Sequence, residues 1–245
     1  MAAELDGDRV HRSDAPQAGA SGEAAGTPSD ERLESRLLRL LLRSNTGLVV
    51  RDPTREGAWT AGGLVALLGF EDERADLSGS LYADLYPAEA GGAPSSVPSS
   101  AMRERGEMTA SCRADLLARG LCSMAMSIGQ GGLIAAIARA CLGHHDPLLA
   151  VGCALVLPAP RQVGTHPPAS AAAQLFHEAP GRVLIAIPAV RYAEASLLAT
   201  SHGVPLVPLG RSGGRELVVR ASDGERSFRE VLRVSVAELA VGRSP

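Results

Sequence analysis

"SMAMSIGQGGLIAAIARACLG", residues Ser123 to Gly143, opens as a short apolar run, breaks at glycines and resumes at helical spacing. It reads as a strand, a glycine turn and a helix closed by Gly143, the unit from which layered α/β and α+β domains are assembled. The turn also raises a chemical question. Free N–H groups and the dipole at a helix start attract anions, and glycine lets a phosphate approach the backbone. Ser127, Gln130, Gly131 and Gly132 are therefore candidate anion contacts. The pattern is neither G-x-x-x-x-G-K-[ST] nor G-x-G-x-x-G. The chain also lacks lysine, all 24 of its Lys/Arg positions being arginine. On spacing alone a structural turn is the better reading.

Outward from this unit the alternation continues. Before it, a helix is expected over Glu107–Arg119 with Gly120 as its stop, and "GLVALLGFEDE" (Gly63–Glu73) reads as a buried strand entering a loop. After it come a strand in "LLAVGCALVLP", a helix in "ASAAAQLFHEA", a strand in "RVLIAIP" and a helix in "AVRYAEASLLATSHG" ended by Gly203. "VPLVPLG" and "RELVVRA" follow as strands, with "RSGG" expected as a hairpin turn between them. Residues 1–29 are predicted to be a disordered tail, poor in large apolar side chains. Residues 30–61 should hold a short leucine-striped helix over 30–43 and a linker. Residues 62–242 form the module, with a mobile loop at about 87–103. The leucine stripe must pack on this module or on a neighbour.

At 245 residues, with 45% hydrophobic and 3% aromatic residues, a core of Ala, Leu, Val and Ile is affordable. A net charge of −3 with scattered arginines excludes the basic stripe of a nucleic-acid groove. No apolar run approaches the ~18–20 residues of a membrane span, and no secretory signal is seen. A cytoplasmic protein without nucleic-acid or membrane partners is expected. Cys112, Cys122, Cys141 and Cys153 include no C-x-x-C pair, so reduced buried thiols are expected rather than a zinc or redox motif.

Two further stretches bear on chemistry. In "LFHEAPGR", Glu178 and Arg182 flank a Pro180-Gly181 break, where they can form a surface ion pair or clamp a ligand or an interface. In "GHHDP", His144, His145 and Asp146 are adjacent, and adjacent residues rarely converge on one metal ion. His177 and Ser235 lack any nucleophile motif.

Taken in order, "GLVALLGFEDERADLSGSLYADL", "ARGLCSMAMSIGQGGLIAAIARA", "AQLFHEAPGRVLIAIP", "GVPLVPLGRSGGRELVV" and "VSVAEL" resemble the C-terminal module of phosphoribosylformylglycinamidine (FGAM) synthase. That module is shared across the superfamily of aminoimidazole ribonucleotide (AIR) synthase. The resemblance runs from about Gly62 to Leu239 and is most specific at Leu175–Leu184 and the G-V-P…G-R…G-G strand pair that follows. It implies an α+β module of the AIR-synthase C-terminal type, with a ferredoxin-like-related mixed sheet packed by helices. It also implies ATP- and glutamine-dependent amidation of formylglycinamide ribonucleotide, with ATP and Mg²⁺ as cofactors. The implied partners are a second copy or a separate N-terminal AIR-synthase-like module, and a glutaminase subunit.

The departures are specific. Where the family reads H-D-x-S-D-G-G-L, this chain has Met126, Ser127, Ile128, Gly129, Gln130, Gly131, Gly132 and Leu133. Where it reads G-S-E-Y, the chain has Gly79, Ser80, Leu81 and Tyr82, whereas Glu178, Gly181 and Arg182 match. Neither serine nor glutamine replaces a carboxylate as a Mg²⁺ ligand, and the residues before Gly62 are too few for an N-terminal module. The expectation is a degenerate module, inactive and without a cofactor in isolation, with no catalytic and no metal-ligating residue assigned. Its anion candidates are Ser127, Gln130, Gly131, Gly132, Glu178, Gly181 and Arg182. A subunit of a split enzyme and a non-catalytic dimerisation scaffold built on helix 30–43 are the alternatives.

Overall fold

The computed structural model describes residues 33–44, 59–70, 77–87, 100–143, 149–159, 170–222 and 227–241. The expected tail 1–29, the "GHHDP" histidines and most of the expected loop 87–103 lie outside them.

Among the described residues, seven strands form one mixed sheet: β1 (Leu64–Gly69), β2 (Met124–Ser127), β3 (Cys153–Leu157), β4 (Arg182–Ile187), β5 (Leu206–Ser212), β6 (Glu216–Ser222) and β7 (Phe228–Ser235). Their order is β2-β4-β1-β5-β3-β6-β7. Every pairing is antiparallel except β3 with β6. The helices are α1 (Leu33–Ser44), α2 (Leu81–Leu85), α3 (Ser100–Ala118), α4 (Gly132–Cys141), α5 (Ala171–Phe176), α6 (Tyr192–Ser201) and α7 (Val236–Val241). This is the layered α+β architecture expected from the sequence.

Strand β1 and, after Arg182, strand β4 are continuous apolar runs because helices cover both of their faces. On one face Val65, Leu67, Leu184 and Ala186 join the larger core with residues of α1, α2, α4, α5 and α7. On the other, Ala66, Leu68, Val183, Ile185 and Ile187 meet Cys112 and Leu116 of α3 and Ala195, Leu198 and Ala199 of α6. Strands β3, β6 and β7 put Leu155, Leu217, Val219, Leu232 and Val234 into the larger core. Their alternate side chains, Ala154, Arg220 and Arg233, are exposed. There Arg233 takes Glu230 and Glu216 as ion-pair partners at 2.7 and 2.5 Å.

Two expectations are corrected and one strand is added. "RSGG" is not a hairpin turn, because β3 lies between β5 and β6. Glycine makes the insertion possible: a Cβ on Gly210 would sit 2.1 Å from the Ala154 oxygen, and one on Gly152 2.1 Å from the Glu216 oxygen. The splayed turn is instead pinned to the approach of β3, with Gly213 N–H donating to Gly152 O at 2.8 Å and Gly152 N–H to Gly214 O at 3.0 Å. Helix α3 starts at Ser100, inside the stretch assigned to the loop, since no proline follows that position until the helix has ended. Strand β7 was not expected. Its inward Leu232 and Val234 alternate with Arg233, but a bulge opposite Val219/Arg220 breaks the period before them.

The leucine stripe of α1 packs on its own module. Leu37, Leu40 and Leu41 are buried in the larger core, which leaves them unavailable as the assembly surface of the scaffold alternative. Beside them Arg36 is buried, donates to the Tyr82 hydroxyl, and lies 5.0 Å from the Tyr86 ring centroid. Tyr82 in turn stacks on Phe176 at 4.6 Å. Truncating Leu40 to alanine should cost about 2–5 kcal/mol of stability, read as a lower urea midpoint at unchanged slope. A change in oligomeric state without that loss would contradict the packing.

Candidate functional site

The glycine turn that separates β2 from α4 is a built corner. Ser127 ends β2, and Gly131 caps α4 at a φ of 84°, followed by Gly132 at 70°, both in the left-handed region. Each glycine is also demanded by contact. A Cβ on Gly131 would meet Leu40 Cδ2 at 2.7 Å, and one on Gly132 would meet the Leu175 oxygen at 2.6 Å. Helices α1 and α5 therefore press directly on the turn.

The corner does hold an anion, and the anion belongs to the chain. Glu178 Oε1 accepts the Gly131 N–H at 2.7 Å and the Leu81 N–H at 2.8 Å. Leu81 is the first residue of α2, whose cap Ser80 accepts from Ala83 N at 3.2 Å. One carboxylate oxygen thus satisfies orphan amides at two helix starts, where the dipoles favour negative charge. Charge-assisted bonds of this kind are roughly twice as strong as neutral ones.

The other candidates divide. Arg182, buried at the head of β4, donates Nη2 to the His177 carbonyl at 2.5 Å and so closes the Pro180-Gly181 break from inside. Gly181, at a φ of 80°, fits where a Cβ would lie 3.1 Å from Gly106 Cα of helix α3. Ser127 is exposed and accepts from Arg113 at 3.0 Å; the Gln130 carbonyl accepts from Arg139 at 3.2 Å. The structure thus brings Gly131, Gly132 and Glu178 together, and places Arg182 and Gly181 on the turn that delivers Glu178. Ser127 and Gln130 serve local contacts on the rim. Ser235, set aside as a nucleophile, caps α7 in a reciprocal pair with Glu238: Glu238 Oε2 accepts Ser235 N–H at 2.8 Å, and Ser235 Oγ accepts Glu238 N–H at 3.1 Å.

Leu81 was missed as a site residue, because its contribution is a main-chain N–H that no side-chain pattern announces. Leu40 and Arg36 were missed because the sequence does not say where α1 docks.

The donor set at the corner does not fit magnesium with nucleotide phosphates. Mg²⁺ needs near-octahedral oxygen ligands at about 2.0–2.1 Å. The corner offers Met126, Ser127, Ile128 and Gln130, and its carboxylate, Glu178, already spends Oε1 on two amides. The Gly131 N–H that a phosphate would use is taken. Among the described residues, no three His, Cys, Asp or Glu side chains form a group able to hold a metal ion.

No family model matches the chain. Among curated proteins it is similar to phosphoribosylformylglycinamidine synthase subunit PurL of Nocardioides sp., 35% identical over 174 residues, covering 70% of this chain and 20% of that protein. The same subunit of Thermus thermophilus is 34% identical over 127 residues, covering 51% and 15%. Among solved structures, Thermotoga maritima PurL complexed with ATP aligns with a TM-score of 0.53 at 16% identity, over 76% of this chain and 27% of that one. PurL of that organism complexed with FGAR aligns at 0.53 and 14%, over 76% and 29%. The chain spans between 15% and 21% of the length of the curated relatives it matches. The resemblance read from the residues is thus found in the comparisons as well.

Glu178→Ala should cost about 3 kcal/mol of stability by chemical denaturation, since it strands two amides, and Glu178→Gln only about 1 kcal/mol, since it keeps an acceptor. Equal losses for the two would show that the carboxylate does not bridge them.

Proposed function

We propose that this chain, a sequence and fold relative of one section of PurL, is a module that keeps the architecture of the FGAM synthases and has lost their phosphate chemistry. Alone it does not convert formylglycinamide ribonucleotide to its amidine. It takes part in that step of purine synthesis as a subunit completed by a second polypeptide, which brings the nucleotide and metal sites, with ammonia from a glutaminase subunit. Such a role is cytoplasmic.

The observation that supports this is the Glu178 carboxylate on the Gly131 and Leu81 amides. A phosphate reaching for the same amide would have to expel a tethered carboxylate and approach a glycine already covered by Leu40. That no described helix is long and apolar enough to cross a membrane fits the location.

Two measurements test the proposal. The purified chain, given ATP, glutamine and formylglycinamide ribonucleotide, should form no amidine, and adding a PurL-type protein deleted for the matching section should restore turnover. Millimolar ATP or ADP should leave the melting temperature unchanged. A ligand at a hundredfold excess over its Kd would raise stability by about 2.7 kcal/mol, and such a shift, or turnover by the chain alone, would overturn the loss of phosphate chemistry. Failure of complementation would remove the split-enzyme role.

A further inference from the structure

The four cysteines share burial but not surroundings. Cys112 and Cys122 lie in the smaller core against α3 and the loop that follows it. Cys141 and Cys153 lie together in the larger core, where Cys141 is the last residue of α4 and Cys153 the first of β3. The Cys153 thiol is the side-chain neighbour that acts on the Cys141 thiol. The main chain holds the two ends together as well, since Val151 N–H donates to the Cys141 carbonyl at 3.1 Å. Val151 is itself tied down by the buried Trp59, whose Nε1 donates to its carbonyl at 2.9 Å.

We infer that Cys141 and Cys153 are a convertible dithiol, closing to a disulfide that ties the end of α4 to the start of β3 when the protein meets a small-molecule disulfide such as oxidised glutathione. The steps balance. One cysteine thiolate attacks a glutathione sulfur and expels a glutathione thiolate, which takes up the proton the cysteine gave. The second cysteine thiolate attacks the protein sulfur of that mixed disulfide and expels the other glutathione. Two protein thiols are oxidised, and one disulfide is reduced to two thiols.

Burial, and the contact with Cys153, push the Cys141 thiol well above its usual range. The native Cys141 thiol is thus held protonated and slow to react, because the thiolate is the nucleophile. Conversion proceeds through local opening of the α4–β3 connection, and its rate reports that opening. Cys112 and Cys122, each raised to about 11 chiefly by burial, share the slow chemistry, and the Cys112 thiol acts on Cys122 only through its charge. They act as internal controls.

The full chain, folded and without denaturant, is incubated with oxidised glutathione, alkylated and digested. The expected product is a peptide pair cross-linked through Cys141 and Cys153, lighter by two hydrogens, with Cys112 and Cys122 alkylated. The cross-linked protein should melt higher by on the order of 5 °C, because the bond restrains the unfolded chain, and dithiothreitol should reverse both changes. Cys153→Ala should abolish the cross-link and leave Cys141 either alkylated or joined to glutathione. Four free thiols after prolonged oxidation, mixed disulfides alone, or a cross-link through Cys112 or Cys122 would overturn the inference. The wild-type peptide map decides it even if the alanine variant does not fold.

Discussion

A single carboxylate oxygen joins three parts of this molecule. Glu178 leaves the turn ahead of β4 and reaches the first N–H of α2 and the cap N–H of α4. Each of those amides would otherwise be an orphan at a helix start, costly to leave unpaired in a partly buried place. Because one group answers both, the positions of α2, of the glycine corner and of the "LFHEAPGR" turn are mutually fixed. Arg182 completes the constraint from the other side of the turn by holding the His177 carbonyl.

Around this tie the helices close. Gly132 admits the end of α5, Gly131 admits Leu40 of α1, and Arg36 of α1 lies against the Tyr82 and Tyr86 rings of the α2 segment. A buried guanidinium is expensive unless paired and hydrogen-bonded, and here it has the Tyr82 hydroxyl and the ring faces. The corner that begins as a phosphate-loop candidate is therefore closed by a carboxylate within hydrogen-bond distance and by a leucine above it. The same features that make a helix start attractive to an anion have been turned inward, to hold the chain's own.

The second half of the sheet obeys a different constraint. Strand β1 and, after Arg182, strand β4 are apolar because helices cover both faces, whereas Arg220 of β6 and Arg233 of β7 are exposed beside the core side chains Val219, Leu232 and Val234. Insertion of β3 between two strands that are neighbours in sequence requires close main-chain approach at Gly152 and Gly210. That is a reason for glycine that a turn pattern cannot supply.

Much of this was legible in the residues. Apolar runs marked β1, β2, β3 and β4, glycine stops marked the ends of α3 and α6, and the order of motifs led to the same relatives that the comparisons found and to a layered α+β module. Those signals are local, because a strand buried on both faces or a helix stop leaves its mark in consecutive residues. Four things were decided only in three dimensions. Strand order separated β5 from β6, since "RSGG" has the same local chemistry in a closed or a splayed turn. The docking of α1 placed its leucines inside the module, where the sequence allowed either a core or a partner. Leu81 entered the site through a main-chain N–H, which every residue except proline possesses. The burial of Cys141 and Cys153 in one core depends on where a helix ends relative to a strand. Sequence fixes which groups exist and how neighbours along the chain behave, while tertiary packing chooses which distant groups meet.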